Sequence, residues 1–515
     1  MEESESIEKD ITKPQRKVKD KKRIAVCSNA LGRENRSLIR GQVVDMGISD
    51  FTKADDLWDL MTGLMQGKEN EITPFLDFSL APVRKPILKI EIFNEKEKLI
   101  YESPEFLGDE DGFFSHEIND KFKAGIYIYF VTFKGSDSYR QYTKDLAFLN
   151  LKERSEITKV TIVGKGILRI LSEKYNSYIT TSDIDQTYLA TQLGSKKGLL
   201  SALFETPEEK ISLPGMPIFY NCLRKDSNDS PLIFISASPH YFRRSISMTI
   251  KNHGIKYESL HLKYLNGTVK GVLDKITFSV LNINELLKEG VDVAWERAKK
   301  FFGSTYQSLF DQLSYKLSTL LHSRIYQPTK SKEILLGDNT ESDYFIFTIY
   351  QYILLGLIKG KDLEDYLYNL NFLGRDAVTR DYAKRICNLQ EECLSIHGEV
   401  NSVHSVLINM TNLGPMAHEM DENIKKALPS NLPTNQIKNY IPTEGALGFA
   451  TNLSGLGVLE FQSVLDVTID LTGKWLNGKV LDEKYLLSLA RNLSVVKKAE
   501  NQKQELYRIL KEALD

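Results

Sequence analysis

The chain has 515 residues, 42 % of them hydrophobic and 26 % charged, a composition that excludes a collagenous or largely disordered protein. Its 67 basic and 69 acidic side chains leave a formal charge of −2, so the whole-chain basic excess of a duplex binder is missing and nucleic acid is not an expected partner. The length predicts two or three domains, and four scattered cysteines (Cys27, Cys222, Cys387, Cys393) predict reduced thiols rather than a disulfide framework or zinc module.

Residues 1–22 read as a disordered charged tail. MEESESIEKD lacks the apolar core of a signal peptide, and eight basic side chains fall between Lys9 and Arg23. Near an anionic lipid surface each such residue contributes about 1 kcal/mol of attraction. Residues 23–151 predict a small β-sandwich. Ile87–Phe93 alternates apolar and charged positions, and the aromatic and β-branched run Gly125–Phe133 reads as a buried strand. A helical insert is expected over Ala54–Met65.

Residues 152–360 change character. Short apolar runs at Tyr178–Ser182, Leu232–Ile235, Leu260–Tyr264 and Ile334–Leu336 alternate with helical stretches, which predicts an α/β layer on a mainly parallel sheet, with a helical insert near 283–322. The uncharged run Tyr344–Ile358 is 15 residues long, short of the roughly 20 that span a bilayer, and reads as a buried helix. No transmembrane segment is expected, and the protein reads as soluble and cytoplasmic. Residues 361–515 read as an α-helical C-terminal domain, with helical periodicity over Asp376–Met410 and Asp482–Leu514.

Four features in the α/β segment carry the chemistry, at or near strand C-termini, the edge where open α/β sheets bind ligands. Ser182-Asp183-Ile184-Asp185-Gln186-Thr187 follows the first apolar run, and residues two apart on a strand address one face. Ser236-Ala237-Ser238-Pro239 ends the second. Lys316 lies in a helical stretch before the last. Gly337-Asp338-Asn339-Thr340-Glu341-Ser342-Asp343 ends the fourth run, an apolar strand giving way abruptly to acids that need a compensating cation.

Order, strand context and spacing together resemble the haloacid dehalogenase superfamily of phosphotransferases. Adding Leu213-Pro214-Gly215-Met216-Pro217, Tyr220 and Leu223, the stretch resembles the catalytic domain of the actin-patch-protein type of phosphatidate phosphatases. Arg40-Gly41-Gln42-Val43-Val44 and the turn at Asp111 loosely resemble elements of the β-rich segment that precedes it in that family. The chain departs from the family at Gln186, where an aspartate is usual, and at His240, where a tryptophan is usual.

The resemblance implies a Rossmann-like haloacid dehalogenase core, Mg²⁺ as cofactor, and hydrolysis of a phosphate monoester through an aspartyl-phosphate. It implies Asp183 as nucleophile, Asp185 as general acid and base, and Ser236 and Lys316 as phosphoryl binders. Thr187, Ser238 and Arg243 are the substrate-binding candidates. Asp183, Asp185 (through its backbone carbonyl), Asp338 and Asp343 are the metal candidates. The implied substrate is phosphatidate at a membrane surface, which adds a peripheral membrane location to the cytoplasmic one. The apolar set Phe301, Phe302, Tyr306, Leu309, Phe310 and Leu313 suits an acyl chain or ordinary core packing. The same chemistry on a soluble phosphomonoester and a catalytically silent lipid-binding scaffold are the alternatives. No protein partner is indicated.

Overall fold

The computed structural model describes residues 23–48, 73–74, 77, 80–134, 160–191, 202, 205–264, 312–372, 375–376 and 378–515. The expected tail, the helix over Ala54–Met65, most of the 283–322 insert, and Phe301 to Phe310 lie outside these residues.

The N-terminal part is a two-sheet sandwich. One sheet is built from β1 (Arg23–Cys27), β3 (Ser37–Ile48), β4 (Leu80–Pro82) and β8 (Phe113–Ile118), with β2 (Ala30–Arg33) crossing to the other. The second sheet runs β2, β10 (Val160–Leu171), β9 (Gly125–Lys134), β5 (Ile87–Phe93) and β6 (Leu99–Glu102), with β7 (Phe106–Leu107) on β5. Period-two alternation on β5 and β9 turns Leu88, Ile90 and Ile92 and Tyr127, Tyr129, Val131 and Phe133 into a shared core. Each such side chain taken fully from water contributes about 1.5–3 kcal/mol. The expected break at residue 151 does not end the sandwich. Strand β10 pairs with β9 along most of its length and buries Leu168 and Ile170 in the same core.

Among the described residues after β10 the central feature is a six-stranded sheet, all parallel, in the order β13 (Ser259–Lys263), β12 (Leu232–Pro239), β11 (Tyr178–Asp183), β14 (Lys332–Asp338), β17 (Val403–Asn409), β18 (Tyr440–Thr443). A two-stranded hairpin, β15 (Asn371–Phe372) with β16 (Arg375–Asp376), stands apart. The chain therefore steps outward from β11 to β13, then returns to the other side of β11, so a crevice opens at the C-terminal ends of β11 and β14.

Helices cover both faces. On one lie α1 (Met216–Asp226), α2 (Arg243–Asn252), α8 (Gly445–Gly455), α9 (Phe461–Asp470), α10 (Glu483–Asn492) and α11 (Glu500–Leu514). On the other lie α3 (Gln312–Ile325), α4 (Asp343–Leu354), α5 (Gly360–Tyr368), α6 (Arg380–His397) and α7 (Ala417–Ala427). The expected buried helix is α4, in which every residue is buried.

A separate α-helical unit after residue 360 is corrected by this topology. β17 and β18 belong to the central sheet, and Leu447, Phe449, Val464, Leu486 and Leu506 share one apolar cluster with Phe234 and Leu336. Of the 283–322 stretch, the described residues lie in α3, whose Leu313 packs in the core. All four cysteines are free thiols. No described helix is long and apolar enough to cross a membrane.

Candidate active site

The parallel strands deliver their last residues to one edge. β11 ends in Asp183, β14 in Asp338 and β17 in Asn409, while β12 brings Ser236 and Ser238. The chain turns sharply after Asp338. Asp338 Oδ1 accepts the amide of Glu341 at 3.2 Å, and helix α4 begins at Asp343. Gly337 is required there by a close approach: a Cβ at this position would lie 2.6 Å from Asp343 Oδ2 and from its Cβ.

Asp183, Asp338, Glu341 and Asp343 each offer a carboxylate oxygen, and these oxygens all lie within 4.8 Å of one another. Lys316 of α3 is fully buried and reaches three of them, Asp183 Oδ1 at 2.7 Å, Glu341 Oε2 at 2.6 Å and Asp343 Oδ1 at 2.6 Å. Two unit charges this close repel by about 3–4 kcal/mol at an effective dielectric of 20. One ammonium cannot relieve four carboxylates, so protons or a further cation must.

The titration of the cluster follows. Burial, then Asp343, Glu341 and Asp338, hold the Asp183 carboxyl well above its usual range against the pull of Lys316. Burial with Asp343 and Glu341 does the same to Asp338. Burial raises Glu341 to about 7, with Lys316 pulling down and Asp343 and Asp185 pushing up. Burial pulls Lys316 down, but the carboxylates outweigh it and hold the ammonium well above its usual range. Asp183 Oδ2 and Asp338 Oδ2 are shielded from solvent and have no hydrogen-bond partner. Hard oxygen ligands with unsatisfied lone pairs around one point are the donor set of a divalent cation. The cluster could hold a metal ion.

Asp185 stands beside the cluster rather than in it. Its Oδ2 accepts from Ser236 Oγ at 2.8 Å and Ser238 Oγ at 3.0 Å, and Ser236 Oγ in turn accepts the Ser238 amide at 2.9 Å. Both serine hydroxyls are therefore turned to Asp185.

The remaining sequence candidates divide. Thr187 is fully buried in the turn after β11, its hydroxyl without a hydrogen-bond partner. Arg243 is not at the cluster. Its Nη1 donates to Ser28 Oγ at 2.7 Å and Leu260 O at 2.8 Å, against the sandwich. Its position just after Ser238-Pro239 misleads because the chain turns through a short 3-10 segment, His240–Phe242, before α2 begins.

Two residues went unassigned in the sequence. Glu341 sits in the quoted motif, but spacing alone does not separate a ligand from a turn residue. Lys210, buried beside Phe242 with its Nζ 3.4 Å from Glu205 Oε2, feels the Asp185 carboxylate, and burial lowers its pKa. No sequence signal marked it.

Gln186 also finds its reason. Its backbone is left-handed (φ 57°), its side chain donates to Thr191 O, and its own carbonyl accepts Asn409 Nδ2 at 2.7 Å. Asn339 likewise ties the β14 loop to the segment after β17, donating to Thr411 O and Pro415 O at 3.0 Å each.

Residues 178–289 match the family model described as the phosphatidate phosphatase APP1 catalytic domain. That stretch carries Asp183, Asp185, Ser236 and Ser238, and the match implies a phosphatase acting on a phosphate ester. No curated protein matches the chain. Among solved structures the chain is similar to a β-glucuronidase of Parabacteroides merdae, at 8 % identity over 82 % of this chain and 40 % of that one, with a TM-score of 0.24. It is similar to a Ruminococcus gnavus β-glucuronidase at 8 % identity, 76 % and 64 % coverage and a TM-score of 0.20. The chain thus spans less than two thirds of either, and scores this low say nothing of fold or activity.

Proposed function

We propose that the protein is a Mg²⁺-dependent phosphatase of the haloacid dehalogenase type, hydrolysing phosphatidate to diacylglycerol and phosphate. The observation that carries the reading is the Asp183, Asp338, Glu341 and Asp343 cluster at the β11/β14 crevice, with Lys316 on three of its members and Asp185 two residues after Asp183. Phosphatidate itself rests on the family match, a weaker warrant than the site.

Asp183 is the nucleophile. Its carboxylate oxygen attacks phosphorus, the ester P–O bond breaks, and the phosphoryl group rests on Asp183 until water releases it. Asp185 gives a proton to the departing alkoxide and later takes one from that water. The Ser236 and Ser238 hydroxyls fix Asp185 by one oxygen, leaving Oδ1 with no partner among the described residues. Lys316 orients Asp183 and offers positive charge to the phosphoryl oxygens, where positioning and electrostatics dominate catalysis. Asp183, Asp338 and Asp343, joined by Glu341, would hold Mg²⁺, which when bound offsets the charge gathered on the transferring group. The setting is cytoplasmic and at a membrane surface, toward which the basic run from Lys9 to Arg23 would draw the chain.

The test is phosphate release from phosphatidate vesicles and from p-nitrophenyl phosphate, with Mg²⁺ or with EDTA. Wild type hydrolyses both with Mg²⁺ only, and Asp183→Asn loses at least ~10³-fold on both, in line with removal of a nucleophile. Hydrolysis of p-nitrophenyl phosphate alone would move the substrate to a soluble ester. Undiminished turnover by Asp183→Asn would sink the mechanism.

A further inference from the structure

The β13 edge of the central sheet is covered differently on its two faces. Leu260 and Leu262 enter the helix-covered apolar cluster. Ser259 and His261, pointing the opposite way, face a space walled by the N-terminal sandwich and by α3 and α6. Between sandwich and sheet remains a cavity of about 540 Å³.

Its walls are unusually cationic. Arg40 from β3, Arg243 from α2 and Arg385 from α6 line it together with His261 and His322. Arg40 Nη2 lies 2.8 Å from His322 Nε2 and 3.0 Å from its Nδ1, so its neighbour is an imidazole. Arg243 donates to the hydroxyl of Ser28 and the carbonyl of Leu260. Among the described residues no carboxylate pairs with any of the three guanidiniums. The acid in the lining, Asp109, spends its Oδ1 on the amides of Asp111 and Phe113 at 2.9 and 2.8 Å.

Burial pulls Arg40 below its usual range and lowers His261 to about 3. Burial, with Arg40 next to it, likewise pushes His322 far down. The imidazoles are therefore neutral and can accept or donate hydrogen bonds, while the guanidiniums supply fixed charge. Arg243 is buried, Arg40 half-buried and Arg385 exposed at the rim. A buried cation without a counter-charge is costly, by several kcal/mol, and a stable fold tolerates it where a ligand completes the pair. Guanidinium forks pair bidentately with carboxylate and phosphate, and the extra oxygens of a phosphate let more than one fork engage it. The volume falls in the usual small-molecule range and exceeds what bare phosphate needs, and the polar residues Ser28, Ser318, Thr319 and Tyr264 are among those lining the remainder.

The geometry points to a second ligand site, separate from the carboxylate cluster, in which Arg40, Arg243 and Arg385 bind the phosphate of a hydroxylated ester of sugar or polyol size. The site does not depend on the phosphatase reading.

Calorimetric titration of the full chain in EDTA tests it, with glucose 6-phosphate, inorganic phosphate and glucose as probes. Glucose 6-phosphate binds saturably, inorganic phosphate binds more weakly, and glucose does not bind. Asp183→Asn binds as wild type does, which separates this cavity from the cluster. Arg40→Met loses at least tenfold in affinity. Arg385→Met, altered at an exposed position that does not endanger folding, loses several-fold. Binding lost in Asp183→Asn, binding equal in both arginine variants, glucose bound as well as its phosphate, or neither phosphate bound at millimolar concentration would each overturn the site.

Discussion

At the scale of the residue, the cluster is held by short contacts that leave no slack. Gly337→Ala would place a methyl group 2.6 Å from Asp343 Oδ2, so either Asp343 or the β14 strand end must shift. Phosphatase activity should fall by about 10²-fold, as for a displacement of roughly 1 Å in a catalytic group, with a small change in melting temperature. Gln186→Asn should keep activity within a few-fold, because a left-handed residue with its side chain on Thr191 contributes to the turn and not to the cluster.

Glu341 also sets a pH dependence. Its folded-state pKa is raised to about 7 from the ordinary 4.5, so the stability it contributes is fully present below 4.5 and lost as pH rises through 7. Thermal melts in EDTA should therefore show falling stability from about pH 5 to 7.5, and Glu341→Gln should flatten that slope. A bound divalent cation reverses the penalty, and its affinity should tighten over the same interval because binding displaces protons. Isothermal titration with Mg²⁺ at pH 6 and pH 8 measures this directly.

At the scale of the element, α1 and the β12/β13 edge are locked by a buried charge network. Arg224 Nη1 lies 2.7 Å from Glu258 Oε2, and Glu258 also accepts Arg169 Nη1 at 2.8 Å and the Leu232 amide at 2.7 Å. Removing one member of a buried pair leaves the other uncompensated. Arg224→Met should cost about 3 kcal/mol, at the low end for such pairs because Arg169 remains. A urea midpoint lowered with an unchanged slope is the expected signature. A midpoint within error of wild type would show the network to be energetically idle.

At the scale of the whole molecule, the C-terminal third completes the central sheet. β17 pairs with β14 from Glu333 to Asp338, and Asn409 and Asn339 stitch the site loops to one another. A chain ending at residue 360 would expose one edge of β14 and the apolar faces that α8 to α11 cover. Such a chain should be insoluble or unfold without cooperativity, and should lack phosphatase activity even though it keeps Asp183, Asp338 and Lys316. Soluble, cooperatively unfolding protein from that truncation would mean that the sheet closes without β17 and β18.

Local pattern determined a good deal. Period-two alternation marked Ile87–Phe93 as a strand, and the β5 bounds agree with it. Acid-terminated apolar runs marked Tyr178–Ser182 and Ile334–Leu336, and the acids after them do converge. Those signals are carried by neighbours along the chain, which is why one sequence displays them. Val403–Asn409 escaped because a short apolar run inside helical surroundings has no period of its own, and only pairing with β14 makes it a strand. Tertiary structure alone decided that Glu341 joins the cluster, that Ser236 and Ser238 turn to Asp185, and that Arg243 faces the sandwich. Each of these depends on partners tens or hundreds of residues away. Burial and charge at such a point are sums over space, and no stretch of sequence contains the sum.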